Sequence, residues 1–315
     1  MRYQWRMLRL PFCGLLVWWV SSVLGLSGPL PAARSLRVVT TIAPLYSFVR
    51  SVAGEAVELS NLLPRNAEPH DYVLSPGDAR RIADADLIIR NGLGLESFLD
   101  KALAKVDREK LLDASAGIIP LPRWVPPDSP AGGGFPAAAP PNPHVWLDPL
   151  YAIVEVENIV RELCRHDGEK ASYYRARGKR LVDDLRQIDA AYRHALDPLP
   201  EKKMVSDHDA FAYLASRYGI RIVAFLETRG HAGLSPKLLA WVMDSIVRER
   251  VPALFSEVNH VSSELRSISR DMRVPIVLLD SMESGSLSAD LYARAAESNR
   301  RALVQAFQRR APVTP

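Results

Sequence analysis

The sequence contains very little cysteine, which excludes a fold held together by disulfide bonds. Cys13 and Cys164 are the only two cysteines among 315 residues, and Cys13 lies in an N-terminal segment that we expect to be removed. Cys164 is then left without an intramolecular partner, and it falls on the apolar side of a predicted helix. We interpret it as a buried thiol of the core rather than as a metal ligand.

A long hydrophobic run is missing as well. The most apolar stretch, residues 10–26, is interrupted by a proline and two serines and falls short of the ~20 residues that a membrane-spanning helix needs. Three arginines precede it and small residues follow it, a pattern typical of a signal peptide. We therefore predict a cleavable signal peptide over residues 1–33, with cleavage after Ser27, Ala32 or Ala33, and an exported protein. An uncleaved membrane anchor is the weaker alternative.

The charge of the chain gives little reason to expect a nucleic-acid partner. The formal net charge is +4 and the isoelectric point is about 9.1. The segment that we expect to be removed contains three arginines and no acidic residue, so its loss takes the net charge from +4 to +1. No stripe of lysine and arginine with interleaved aromatic residues is present, and we predict that nucleic acids are not bound.

Several catalytic and nucleotide-binding signatures are absent too. The sequence has no Gly-x-x-x-x-Gly-Lys phosphate-binding loop, no His-Glu-x-x-His pair and no Gly-x-Ser-x-Gly turn. These absences argue against an ATPase, a zinc protease of that type and a serine hydrolase.

Short apolar runs alternate with amphipathic stretches along the chain, which is typical of α/β folds with parallel sheets. Strands are predicted at residues 35–44, 57–63, 87–91, 110–113, 203–206, 221–226, 253–258 and 275–279. Helices are predicted at residues 45–52, 78–85, 95–104, 148–166, 169–196, 209–218, 236–250 and 288–307, with one more between the last two strands.

The helical pattern at residues 169–196 is long for a globular domain. It would extend about 40 Å at 1.5 Å per residue, which suits a rigid connector. We predict an α/β fold with two lobes, each containing a mostly parallel sheet flanked by helices, joined by one long backbone helix. The predicted divisions are residues 34–167 for the first lobe, 168–198 for the connecting helix and 199–315 for the second lobe.

Residues 120–143 differ from the rest of the first lobe because they are rich in proline and glycine. Their apolar content is too low to predict packing, and we expect a mobile surface loop.

Four residues have the chemistry of a metal site. His70, His144, His208 and Asp280 are 74, 64 and 72 residues apart, so only the complete fold could bring them together. His70, His208 and Asp280 follow predicted strands, where open α/β sheets bind their ligands, and His144 lies in a loop that leads into a helix. Each residue alone is more often a turn or capping residue, but three imidazoles and one carboxylate together complete the shell of a divalent metal ion. We predict one ion, zinc, in the cleft between the lobes.

His231 lies in a glycine-containing loop. A second, weaker metal site at this histidine is the less favoured interpretation, and a surface loop residue is the more favoured one.

The sequence around these residues carries several motifs. They are Glu-Pro-His-Asp-Tyr at 68–72, Ser-Pro at 75–76 with Asp78, Asp-Ala-Asp-Leu-Ile at 84–88, Asn-Gly-Leu-Gly-Leu-Glu at 91–96, His-Val-Trp-Leu-Asp-Pro at 144–149 and Asp-His-Asp-Ala-Phe at 207–211. Together they resemble the zinc- and manganese-specific substrate-binding proteins of bacterial ABC importers, and the resemblance covers nearly all of the mature chain.

The resemblance implies two α/β lobes, one long backbone helix and a buried metal site whose ligands are His70, His144, His208 and Asp280. It also implies a monomeric periplasmic protein, without enzymatic activity, that captures Zn²⁺ as its transported ligand. The ion would pass to a membrane permease that is driven by a separate cytoplasmic ATPase. A zinc-dependent hydrolase and a surface adhesin are the distant alternatives.

The identity of the metal is the least determined part of the prediction. Zinc-type members of the family often carry a histidine- and acid-rich loop before the second ligand, but here no histidine occurs between Tyr72 and His144. Manganese-type members tend to have glutamate at the third ligand position, where this chain has His208. Three nitrogen donors favour zinc over manganese, while Mn²⁺, alone or together with Zn²⁺, remains the alternative.

Overall fold

Two sheets of four parallel strands organise the chain. The structure is a computed structural model, and it describes residues 34–65, 72–127, 133–226, 235–283 and 285–309. The first sheet has the order β2-β1-β3-β4 and the second has the order β6-β5-β7-β8, and all of the strand pairs are parallel. The strands are β1 Leu36–Thr40, β2 Val57–Asn61, β3 Leu87–Arg90, β4 Leu111–Asp113, β5 Lys203–Ser206, β6 Arg221–Phe225, β7 Leu254–Glu257 and β8 Ile276–Leu279.

Every predicted strand overlaps one of these, because the central strands are apolar on both faces. Val38, Leu87 and Ile89 in the first sheet, like Val205 and Leu254 in the second, are fully buried. Helices cover both faces of a parallel sheet, so its strands are nearly continuous apolar runs.

The helices connect and cover these strands. They are α1 Ala43–Ala53, α2 Pro76–Asp84, α3 Asp100–Leu103, α4 Pro149–His166, α5 Ala171–Leu196, α6 Ala212–Arg217, α7 Pro236–Glu249, α8 Ser263–Met272 and α9 Leu291–Gln308. The 26-residue α5 packs against α1 and α4 of the first lobe and against α9 of the second. The predicted fold class, with its long backbone helix, is confirmed, while the divisions between the lobes at single residues stay predictions.

A glycine sets the distance between α4 and α5. A Cβ atom at Gly178 would lie 2.4 Å from Cγ2 of Val160 on the facing helix, which is closer than carbon atoms can approach. The absence of a side chain at Gly178 lets α4 and α5 pack closely.

The helix predicted at residues 95–104 begins later than expected. Gly92, Leu93 and Gly94 all have positive φ angles, and the Glu96 carboxylate accepts hydrogen bonds from the backbone N–H groups of Asn91 and Gly92. These bonds hold the chain in a turn, and α3 starts only at Asp100.

The proline-rich segment packs instead of forming the isolated loop that its composition predicts. We call its described residues, 120–127 and 133–143, the strap. Val125 and Gly134 exchange backbone hydrogen bonds of 2.7 and 2.8 Å, and the rings of Trp124 and Phe135 meet Phe225 of the second sheet edge-on. The average apolar content of the strap is low, but these two aromatic side chains are enough to pack it against the second sheet.

The structure leaves the predictions for residues 1–33 untested, because they lie outside the described residues. Within the described part of the chain, no helix is long and apolar enough to cross a membrane.

An ion pair joins the start of α4 to the second lobe. The Asp148 carboxylate accepts from the backbone N–H of Leu150 at 2.9 Å and so caps α4. Both of its oxygens also accept from Arg217 Nε, at 2.8 and 2.7 Å. The Asp148 side chain is only 4% exposed, so its charge depends on Arg217 for compensation.

We expect the substitution Arg217→Met to lower the free energy of unfolding by about 3 kcal/mol, because it leaves a buried carboxylate without its cation. Urea denaturation of the metal-free protein measures this loss. The double variant Arg217→Met with Asp148→Asn no longer has a buried charge, and the amide can still cap α4. Its loss of stability should therefore be smaller than the sum of the losses in the two single variants. Strict additivity would show that the two side chains do not interact.

A second carboxyl group is buried without such compensation. Glu155 on α4 is fully buried, and neither of its oxygens has a hydrogen-bond partner among the described residues. Burial, and to a lesser degree the charge of the nearby Glu96, raises the pKa of Glu155 well above its usual value. The native protein therefore holds a proton on Glu155 at pH values where the unfolded chain, with a glutamate pKa of about 4.3, has lost it.

Because the folded protein binds this proton more tightly than the unfolded chain does, Glu155 should lower the free energy of unfolding as the pH rises. The decrease is at most about 1.4 kcal/mol per pH unit, between the pKa of the unfolded chain and that of the folded protein. The variant Glu155→Met should be more stable than the wild type at pH 8, and the difference should shrink towards pH 5. Urea denaturation at several pH values tests this, with Glu157→Met at an exposed position of the same helix as the control. A difference that does not change with pH would contradict the assignment.

Candidate metal centre

His144 lies between the strap and α4, and its ring is fully buried. A 3₁₀ turn at Val145–Leu147 follows it and leads into α4. Nδ1 of His144 is 2.8 Å from Oδ1 of Asn142, an atom that also accepts from the backbone N–H of His144 at 3.0 Å. Since Oδ1 can only accept, Nδ1 carries a proton, and the neutral imidazole has its lone pair on Nε2.

The Asn142 amide is itself fixed. Its Nδ2 donates to the backbone oxygen of Asp209 in the second lobe at 2.9 Å, which supports the assignment of the amide oxygen to the His144 side. The orientation of the first-lobe histidine thus depends on a contact with the second lobe.

His208 follows β5 and faces His144. The two rings are perpendicular, with centroids 4.8 Å apart. Nδ1 of His208 is 2.6 Å from Oε1 of Glu257, the last residue of the neighbouring strand β7. A carboxylate on Nδ1 orients the ring, fixes Nε2 as the metal-binding nitrogen and makes that nitrogen more basic.

The charge state of Glu257 fits this role. Burial alone would raise the pKa of Glu257, but the hydrogen bond with His208 and the charge of that ring outweigh it and lower the pKa. Glu257 is therefore an ionised partner for the histidine.

A third side chain, Glu283, completes the group. Its Oε1 lies 2.8 Å from Nε2 of His144, and its side chain is 3% exposed. The potential ligand atoms of His144, His208 and Glu283 all lie within 4.8 Å of one another. Such a group of two imidazoles and one carboxylate could hold a divalent transition-metal ion.

The structure places the four sequence-predicted ligands differently. His144 and His208 are brought together. Asp280 follows β8 as predicted, but it is not in the group that His144, His208 and Glu283 form, and its Oδ1 accepts from the backbone N–H of Met282 at 2.8 Å. His70 lies outside the described residues, as does His231, so their roles stay predictions.

The surroundings of the group are acidic. Asp209 Oδ1 lies 3.6 Å from Nε2 of His208 and 3.6 Å from Arg123 Nη1 of the strap. Burial raises the pKa of Asp280, and the charge of Glu257 adds to this effect while the hydrogen bond from Met282 opposes it. The carboxylates of Glu283, Asp209 and Glu257 thus lie next to the two imidazole rings, which favours a bound cation.

Sequence reasoning missed Glu283, Glu257 and Asn142. Glu257 is the second-last residue of the strand predicted at 253–258, near the kind of strand end that His208 and Asp280 follow, so its position was a usable signal. Glu283 stands three residues beyond Asp280 and Asn142 two residues before His144, where nothing in the sequence separates them from ordinary turn residues.

Comparison with known proteins identifies the family. Residues 38–306 match the family model described as zinc-uptake complex component A, periplasmic. The chain is 28% identical over 253 residues to the iron-binding protein YfeA of Yersinia pestis, covering 80% of this chain and 78% of that protein. It is 27% identical over 288 residues to the zinc-binding lipoprotein AdcA of Streptococcus pneumoniae, covering 89% of this chain and 58% of that protein. The chain therefore spans less than two thirds of the latter relative.

A solved structure agrees with the sequence comparison. The substrate-binding protein FpvC of Pseudomonas aeruginosa, in complex with Mn²⁺, superimposes with a TM-score of 0.77 at 26% identity, covering 87% of this chain and 99% of that one. The family match extends over residues 38–306 of the 315-residue chain and shows that the protein belongs to the periplasmic zinc-uptake component A family. This membership confirms the resemblance that the sequence motifs indicated.

We expect Glu257→Gln to weaken zinc binding about 10- to 100-fold, the usual effect of removing a carboxylate that supports a ligating histidine. Competition titration against a zinc chelator measures the change. Glu169→Gln, the same charge change at an exposed position, should leave the affinity unchanged. Equal affinities of Glu257→Gln and the wild type would show that Glu257 does not orient His208.

Proposed function

We propose that this protein captures a divalent transition-metal ion, Zn²⁺ in the first place, and delivers it to the permease of an ABC importer. The observation that carries the proposal is the buried pair of His144 and His208. Each ring is held through Nδ1 by a partner that leaves Nε2 directed at the same volume. Two oriented nitrogen donors in a dehydrated, acidic pocket are what a tight site for a borderline-soft cation requires.

We propose His70 and Asp280 as further ligands, as the sequence predicts. Asp280 is half-buried and directly follows β8. Its Oδ1 accepts from Met282, and its other oxygen is the atom that we assign to the ion. For His70 the support is its position in the motif at residues 68–72.

The place of action and the partners are part of the same proposal. We infer that the signal peptide directs the chain to the periplasm and that the mature protein acts as a monomer. The family description, a periplasmic component of an uptake complex, supports export and a membrane partner. Because the sequence has no phosphate-binding loop, the ATPase that drives transport is a separate chain.

We also propose that the protein is not an enzyme. A catalytic zinc ion usually keeps one position open for water, whereas the proposed set of three histidines and a carboxylate already fills four positions. The family is one of transport components, which supports binding and release rather than catalysis.

The test is a metal titration of residues 34–315 after chelation and dialysis. We expect one tight equivalent of Zn²⁺, and we expect His208→Ala to lower the affinity by more than about 100-fold, beyond the loss typical of a supporting residue. Binding should also weaken below the ordinary imidazole pKa of about 6.5, because a protonated histidine cannot ligate. At a free zinc concentration 100 times the Kd, the wild type should gain about 2.7 kcal/mol of stability.

A circular dichroism spectrum of each metal-free variant serves as the folding control. The absence of stoichiometric binding of Zn²⁺ and Mn²⁺ by the folded wild type would contradict the proposed function. Tight Mn²⁺ binding with weak Zn²⁺ binding would keep the transport role and change the cargo.

A further inference from the structure

The contact between Glu283 and His144 needs a positive charge to be stable. Nδ1 of His144 donates to Asn142, so the neutral ring presents a lone pair on Nε2. That nitrogen lies 2.8 Å from a carboxylate oxygen of Glu283, with both side chains almost fully buried. Two acceptor atoms repel each other at this distance unless a proton or a metal ion lies between or beside them.

The distance also indicates which kind of coordination the pair could provide. Nitrogen and oxygen donors lie about 2.1 Å from a transition-metal ion, so two donors 2.8 Å apart subtend about 85° at the metal. A tetrahedral pair at the same bond lengths would be about 3.4 Å apart. A separation of 2.8 Å is that of a hydrogen bond, and it also allows the two atoms to be neighbouring ligands in a five- or six-coordinate shell.

The backbone that carries Glu283 is held in an unusual conformation. Met282 has a φ angle of 65°, in the left-handed region that a residue other than glycine rarely adopts. Its N–H donates to Asp280, and the backbone oxygen of the preceding Ser281 accepts from Trp146 Nε1 at 2.8 Å. Contacts that hold a strained backbone in place recur at functional sites, and here they direct the next side chain towards His144.

We propose that Glu283 is a ligand of the transported ion and that it raises the affinity for Mn²⁺ more than the affinity for Zn²⁺. This inference rests on the proposed function, because it concerns the same ion. With His70, His144, His208 and Asp280, Glu283 would give three nitrogen and two carboxylate donors. Mn²⁺ favours carboxylate oxygens and high coordination numbers, whereas four donors suffice for Zn²⁺. Glu283 thus makes the site suitable for both cations.

The experiment compares three forms of the mature chain, residues 34–315: the wild type, Glu283→Gln and Glu169→Gln. Glu169→Gln makes the same change at an exposed position, so it is the matched control and should leave both affinities unchanged. Competition titrations give the Kd for Zn²⁺ and for Mn²⁺. For Glu283→Gln we expect a loss of Mn²⁺ affinity greater than about 100-fold, beyond the range typical of a supporting residue, and a smaller loss for Zn²⁺.

Co²⁺ offers a second measurement, which reports the geometry of the site and not only its affinity. Its visible absorption is weaker in five- or six-coordinate sites than in tetrahedral ones, since geometry determines the intensity of these bands. The wild type should show the weak spectrum, and Glu283→Gln should show the stronger tetrahedral one. Thermal unfolding of the metal-free variants provides the folding control.

The outcomes separate the two proposals. If the wild type binds an ion but Glu283→Gln has unchanged affinities, or if wild-type Co²⁺ is tetrahedral, the ligand role of Glu283 is wrong and the proposed function stands. If Glu283→Gln lowers both affinities equally and its Co²⁺ spectrum does not change, Glu283 acts only on the surrounding structure. If the folded wild type binds neither Zn²⁺ nor Mn²⁺, both proposals fail.

Discussion

The bidentate ion pair between Asp148 and Arg217 is the contact on which the position of the metal centre depends. Asp148 ends the turn that starts at His144, and the same carboxylate caps α4. Between the two residues, Trp146 donates to the backbone oxygen of Ser281 and accepts from the hydroxyl of Tyr292. Within this segment, the indole and the backbone oxygen of Trp146 and the carboxylate of Asp148 all contact the second lobe. Second-lobe partners therefore position His144, the proposed ligand from the first lobe. Preorganisation of this kind reduces what ion binding must itself order.

The two central histidines are oriented by chemically different partners. A neutral amide holds His144, whereas an ionised carboxylate holds His208. The carboxylate makes Nε2 of His208 the stronger donor, and His144, with the weaker orienting partner, is the ring that faces Glu283. Carboxylates therefore lie on both sides of the pair: Glu257 contacts Nδ1 of His208, and Glu283 contacts Nε2 of His144.

How much the sequence predicts depends on how local each feature is. The strands and the long helix follow from runs and periodicities within a few turns of chain, and all of them occur close to the predicted bounds. His208 is predicted at the site because it follows a strand, where open α/β sheets bind their ligands, whereas His144 lies in a loop and is predicted through the motif at residues 144–149.

Features that depend on distant contacts are not predicted. The strap packs through Trp124 and Phe135 on a ring about 100 residues further along the chain, and the late start of α3 follows from hydrogen bonds to Glu96. Glu283 follows Met282, whose φ angle is positive, and Ser281, whose backbone oxygen accepts from Trp146 of the first lobe, and no sequence pattern indicates either feature. The metal-binding roles of His70 and Asp280 remain predictions, since the structure describes no contact of the one and places the other outside the central group.

The strap has a consequence for how the ion can leave. A rotation that separates the two sheets would have to expose Trp124, withdraw Arg123 from Asp209 and break the Asp148–Arg217 pair in one movement. Packed interfaces of this kind have discrete arrangements and do not deform gradually, so half-opened forms are disfavoured. The release of a bound ion would therefore require these contacts to break together, in addition to the loss of its ligands.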